Sequence, residues 1–117
     1  MSFEIIPTEN FQKRAKKLLK KYLSLKSELL HLTNLLAENP YSGTPLGDNA
    51  YKIRMAVKSK NVGKSGGLRV ITYLVLQKER IYLADIYDKS EQSTISNKEL
   101  SKLIESIERQ IKSQKKP

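Results

Sequence analysis

The chain contains no cysteine and only one histidine. Without cysteine there is no disulfide framework, no thiolate metal site and no thiol nucleophile. A lone histidine cannot supply an imidazole acid–base pair or a histidine-built metal site, and His31 lies between Leu30 and Leu32, where a structural or solvated role is expected. No apolar run reaches membrane-spanning length and no signal-peptide h-region is present, so a soluble cytoplasmic chain with no membrane partner is expected. Acidic residues are also scarce, 12 Asp and Glu against 22 Lys and Arg, for a net charge of +10. None lies between Asp48 and Glu79, whereas Lys52, Arg54, Lys58, Lys60, Lys64, Arg69 and Lys78 all do. The positive field is therefore local, and it favours a polyanionic partner.

At 117 residues the chain is long enough for one core, so residues 1–117 are read as a single domain. Phe3 to Ile6 form a short β-type run closed by Pro7, with Thr8 placed to cap a helix. Phe11, Ala15, Leu18 and Tyr22 recur at helical spacing among lysines, and Leu25, Leu29, Leu32 and Leu36 repeat the pattern up to Asn39-Pro40. A short turn between the two predicts a helical hairpin. Residues 40–49 carry two prolines, two glycines and Asp48-Asn49, and are read as a loop.

Beyond that loop the period changes to two. Tyr51, Ile53, Met55 and Val57 alternate with Lys52, Arg54, Ala56 and Lys58, which predicts a strand with one apolar and one mostly cationic face. A glycine-rich basic connection, Lys60 to Gly67, precedes Leu68–Gln77, a run apolar on both faces and so a central strand. Lys78-Glu79 turns it into Arg80–Tyr87, giving an antiparallel hairpin. Ser96 to Glu99 is a capping box ahead of the stripe Leu100, Leu103, Ile104, Ile107 and Ile111; Lys112–Pro117 is read as a frayed tail. The order β-α-α-β-β-β-α predicts an α+β fold: a small, mostly antiparallel sheet with an N-terminal helical hairpin and a C-terminal helix.

Few constellations carry chemistry. Asp85, Asp88 and Glu91 lack metal-ligand spacing and read as a strand end with its salt bridges, so no metal or other cofactor is expected. Gly63-Lys64-Ser65 lacks the glycine that a phosphate loop needs five residues earlier, where Lys58 stands, and it precedes a strand rather than a helix. Nucleotide binding by that motif is rejected; gripping a phosphate backbone with Lys58, Lys60 and Lys64 is not. Arg69 is a cation in a strand of Leu, Val, Ile, Thr and Tyr, and it must reach solvent, a carboxylate or a substrate anion. Lys52 and Arg54 share one face, and strand pairing could bring both beside Arg69. Converging cations repel unless an anion joins them, which favours phosphate recognition.

Three stretches resemble the RelE/ParE toxin superfamily, in particular its HigB-type RelE-like branch. They are Tyr51-Lys52-Ile53-Arg54-Met55, the run from Gly63 to Tyr73, and Ile86-Tyr87-Asp88-Lys89-Ser90-Glu91-Gln92. The resemblance implies a toxin of a type II toxin–antitoxin pair. Such a toxin is a metal-independent endoribonuclease acting on mRNA in the ribosomal A site through attack of the RNA 2′-hydroxyl on the adjacent phosphorus, and it is neutralised by a cognate antitoxin. Carried over by position, Lys52 and Arg54 match substrate-contacting basic residues, Arg69 matches the transition-state arginine, and Lys89 matches the basic end of the last strand. The type member of the family has an arginine where this chain has Ser90 and a tyrosine where it has Ser96. The general acid and one phosphate clamp are therefore unassigned, with Tyr87, Lys89 and Glu91 as candidates. A gyrase inhibitor of the ParE kind and a non-catalytic RNA- or ribosome-binding module are the rival readings.

Overall fold

The computed structural model describes residues 2–60 and 66–114. Its elements are β1 (Glu4–Pro7), α1 (Glu9–Lys21), α2 (Leu25–Glu38), β2 (Thr44–Gly47), β3 (Ala50–Met55), β4 (Leu68–Val75), β5 (Arg80–Asp88) and α3 (Asn97–Gln114). The five strands make one sheet in the order β1-β5-β4-β3-β2. Only the β1–β5 pairing is parallel; the other three are antiparallel. This is the α+β arrangement predicted, with one strand more.

The additional strand falls in residues 40–49, read above as a loop. Thr44–Gly47 pairs with β3 through a turn in which Gly47, Asp48 and Asn49 all have positive φ. Glycine, aspartate and asparagine tolerate that region best, and an edge strand accepts Pro45 because its missing N–H can face away from the ladder. The turn chemistry was real, but it closes a hairpin. Two boundaries also shift: β3 ends at Met55, and β4 ends at Val75, where a 3-10 turn over Leu76–Lys78 and a left-handed Glu79 lengthen the expected two-residue turn. The helix α3 continues to Gln114, into the segment expected to fray.

Helices cover both faces of the sheet. On one, Phe11, Ala15, Leu18 and Tyr22 with Leu25, Leu32 and Leu36 pack on Ile53, Met55, Leu68, Val70, Leu74, Ile81, Leu83 and Ile86. On the other, Leu100, Ile107 and Ile111 of α3 pack with Ile71, Tyr73, Tyr82, Ala84 and Tyr87. A strand apolar on both faces, as β4 is, needs both covers.

Alternation along β5 is reset by a bulge. Ile71 pairs with Asp85 and Thr72 with Leu83, leaving Ala84 as the extra residue. Ile81 and Leu83 face the hairpin, but beyond the bulge it is Ile86 that does so and Tyr87 that turns toward α3. Local caps fix the helices. Thr8 Oγ1 accepts the Phe11 N–H at 3.2 Å and donates to the Leu83 carbonyl at 2.9 Å, tying the start of α1 to β5. Ser96 and Glu99 form the expected reciprocal box at α3. Thr8→Ala is expected to lower unfolding stability by about 1–2 kcal/mol in urea titration, since it removes both a cap and a buried long-range bond.

Candidate functional site: a cationic row across three strands

Register decides which side chains meet. Across β3 and β4, Arg54 stands opposite Arg69; across β4 and β5, Arg69 stands opposite Tyr87. All three lie on the α3 face, because their neighbours Ile53, Met55, Leu68, Val70 and Ile86 belong to the hairpin core. Lys52 is two residues along from Arg54 on the same face, opposite Ile71. Arg54, Arg69 and Tyr87 thus form one row, with Lys52 beside its β3 end.

The row grades from solvent to interior. Arg54 is exposed and Lys52 half-buried, while Arg69 and Tyr87 are 3% and 2% exposed. Arg69 donates from Nη1 to the Leu68 carbonyl at 3.3 Å and makes further polar contact. Among the described residues the Tyr87 hydroxyl is buried without a hydrogen-bond partner, with the Thr94 side chain close by. Burial raises the Tyr87 pKa, against the opposing pull of the Arg69 guanidinium, so the phenol is protonated at neutral pH. It belongs to the apolar cluster that Ile95, just before α3, and Leu100, in its first turn, help to form. Further along, Tyr73 Oη donates to Glu108 Oε2 at 2.6 Å and fastens α3 to the same face. Burial and that carboxylate push the Tyr73 pKa up to about 12.

Other predicted residues are placed differently. Lys89 is half-buried at the end of β5, its backbone N–H bonded to the Gly67 carbonyl and its Nζ to the Ser93 carbonyl at 3.2 Å. Lys58 is exposed, and its N–H donates to Glu28. Lys60 turns to the hairpin face, where its ammonium pairs with Asp88. Glu91 is exposed beside α1, 3.4 Å from Lys21, and lines a cleft with Arg14, Lys17 and Gln92 rather than joining the row. Lys64 lies outside the described residues.

The three carboxylates read as a strand end go to three different cations: Asp85 to Arg14, Asp88 to Lys60 and Glu91 to Lys21. Among the described residues no cluster of His, Asp and Glu could hold a metal ion. Burial raises the Asp85 pKa despite Arg14, the Ile86 N–H and Asn10. Asp88 is the opposite case. Burial works to raise its pKa, yet Lys60, Tyr22 and Ser90 together hold it well below the usual carboxylate range. Sequence reasoning missed Tyr22 and Asp88 as partners, since nothing local links a helix end to a strand end 66 residues away.

A second feature adjoins the row. Strand β2 pairs with β3 only as far as Lys52, leaving the outer edge of Ile53–Met55 with no strand partner among the described residues. Between that edge and α2 runs a groove of about 780 Å³, floored by Leu32, Leu35 and Met55 and bordered by Lys52, Arg54 and Lys58. His31 lines it too, exposed at its rim.

No family model matches the sequence. Among solved structures, an arginine-to-alanine double mutant of the E. coli toxin RelE in its free state superposes with a TM-score of 0.54. The match covers 80% of this chain and 90% of that one at 18% identity. The chain has the RelE fold. No helix among the described residues is long and apolar enough to cross a membrane.

The low Asp88 pKa carries a pH signature. A carboxylate whose folded pKa lies below its unfolded value of about 3.9 contributes stability above that value and loses it as pH falls through the folded pKa. Asp88→Asn is therefore expected to destabilise the chain by about 3 kcal/mol at pH 7, as a broken buried pair does. The gap between the urea midpoints of the two proteins should narrow below about pH 4; a constant gap would contradict the ionised carboxylate.

Proposed function

We propose that this chain is the toxin of a type II toxin–antitoxin pair, of the HigB-type RelE-like branch, and that it cleaves mRNA on the ribosome in the cytoplasm. The observation that carries the reading is the Arg54–Arg69–Tyr87 row, with Lys52 beside it, on a RelE fold. The strings that resemble the superfamily supply the row: Lys52 and Arg54 come from the first, Arg69 from the second, Tyr87 and Lys89 from the third.

In the proposed reaction the 2′-hydroxyl of the RNA gives up its proton to solvent water as its oxygen attacks the adjacent phosphorus, and the bond to the 5′-oxygen breaks. The products are a 2′,3′-cyclic phosphate and a 5′-hydroxyl. Metal-free catalysis then needs in-line positioning, stabilisation of negative charge on the equatorial oxygens, and a proton for the leaving oxygen. Arg69, fixed in a central strand, suits the second task, because its guanidinium presents a rigid fork to phosphate oxygens. Arg54 and Lys52, nearer solvent, grip the flanking backbone, with Lys58, Lys64 and Lys89 adding field. Tyr87 is the candidate acid: its phenol is protonated, lies next to Arg69 in register, and has no hydrogen-bond partner among the described residues. Its use requires the apolar cluster that buries it to open. Glu91 faces α1 and is given no catalytic part.

The antitoxin is assigned to the groove along β3. An unpaired strand edge, an apolar floor and a rim of Lys52, Arg54 and Lys58 fit an extended segment with acidic and apolar residues. Occupying it would put negative charge on Arg54 of the row and on Lys52 beside it.

The test is controlled expression of wild type, Arg69→Ala and Glu91→Gln, with message ends mapped by primer extension. Cuts inside translated frames are expected for wild type and Glu91→Gln, and a loss of 10²-fold or more, on the order of one transition-state donor, for Arg69→Ala. Growth arrest with intact messages would overturn the nuclease reading and favour a gyrase-directed inhibitor. In single-turnover assays on programmed ribosomes, Tyr87→Phe is expected to slow cleavage about 10²-fold, the contribution of a general acid, with little change in binding.

A further inference from the structure

The Asp88 carboxylate is 1% exposed, and four groups converge on it. Tyr22 Oη donates at 2.5 Å, the Ser90 N–H at 3.0 Å and Ser90 Oγ at 2.8 Å, and the Lys60 ammonium closes the set. The Lys60 side chain is 13% exposed, and its ammonium sits 5.8 Å from the centroid of the Tyr22 ring. Of the other charges nearby, Lys21 pairs with Glu91 and also stands over the Tyr22 ring, 5.4 Å from its centroid, without reaching Asp88. Lys60 is thus enclosed by a carboxylate, a ring and a hydroxyl, unlike exposed Lys58 two residues before it.

The cluster lies on the hairpin side of the sheet, behind the row. Asp88 is opposite Leu68 in register, so its chain neighbours Tyr87 and Lys89 and the neighbour of its partner, Arg69, are the groups on the reacting side. Lys89 holds the Gly67 carbonyl through its backbone N–H at 3.1 Å. Gly67 in turn is pressed on β3: a Cβ there would meet the Met55 carbonyl oxygen at 2.1 Å. The end of β5 therefore fastens both Lys60, after β3, and Gly67, before β4.

We infer that Asp88 is a positioning residue and that Lys60 is its counter-ion rather than an RNA contact: with Tyr22 they form a clamp behind the sheet that holds Arg69, Tyr87 and Lys89 in register. The inference rests on the proposed RNA cleavage for its effect on rate, but not for the clamp itself. A buried ion pair is a poor source of stability compared with apolar packing, but breaking one partner is costly and a unique geometry is its best-attested product.

The first measurement is binding of the full chain to a fully 2′-O-methylated RNA oligonucleotide, which cannot cleave itself, across a salt series. Lys58→Gln is expected to reduce the slope of log K against log salt by about 0.7, the value for one phosphate contact on a single strand, and Lys60→Gln to leave it unchanged. The second is single-turnover cleavage on programmed ribosomes. Lys60→Gln and Asp88→Asn should each lower the cleavage rate at least tenfold at unchanged binding, and the double variant should be no slower than the worse single one. A slope that falls with Lys60→Gln as it does with Lys58→Gln would overturn the inference, as would multiplying rate losses. If the wild-type chain neither binds nor cuts RNA, the RNA reading has failed and urea unfolding decides the clamp: non-additive midpoint shifts sustain it, and additive shifts overturn it.

Discussion

Everything in this molecule hangs on the antiparallel pairing of β4 with β3 on one side and β5 on the other. The middle strand is apolar on both faces and must be covered on both, by the helical hairpin and by α3. That demand fixes the layers, and the layers fix which side chains can remain polar. Arg69 lies at the end of β4 where the sheet meets its basic connection, and the register places a cation on one side of it and a phenol on the other. A guanidinium so nearly enclosed is tolerable only where polar groups or an anion answer it. The fold thereby places a nearly enclosed cation in its central strand.

Much of this was legible in the chain. The periods of Phe11–Tyr22 and Leu25–Leu36, the two-residue alternation from Tyr51, and the capping box at Ser96 each reflect a local rule, and each produced the element expected. Lys52 and Arg54 share a face for the same reason. That both could stand near Arg69 needed only that their strand pair with the next, and the antiparallel register of β3 with β4 sets Arg54 opposite it.

Long-range features were not legible. Residues 44–47 look like turn material and form an edge strand, because pairing with β3 outweighs weak local preference. Strict alternation along β5 would set Tyr87 on the face of Leu83, away from Arg69; the bulge at Ala84 reverses that. A bulge depends on the neighbouring strand, so sequence pattern does not reveal it. The same holds for Lys60, which reads as a free basic residue and is held by a carboxylate contributed by another strand.

The central claim, that the cationic row drives attack by the RNA's own 2′-oxygen, is tested most directly by the chemistry of the cut ends. Messages cleaved on ribosomes by the purified chain should carry a 2′,3′-cyclic phosphate, or the 3′-phosphate it hydrolyses to, with a 5′-hydroxyl on the downstream fragment. Fragments ending in a 3′-hydroxyl and beginning with a 5′-phosphate would mean that water, not the 2′-oxygen, is the nucleophile, and would contradict the account.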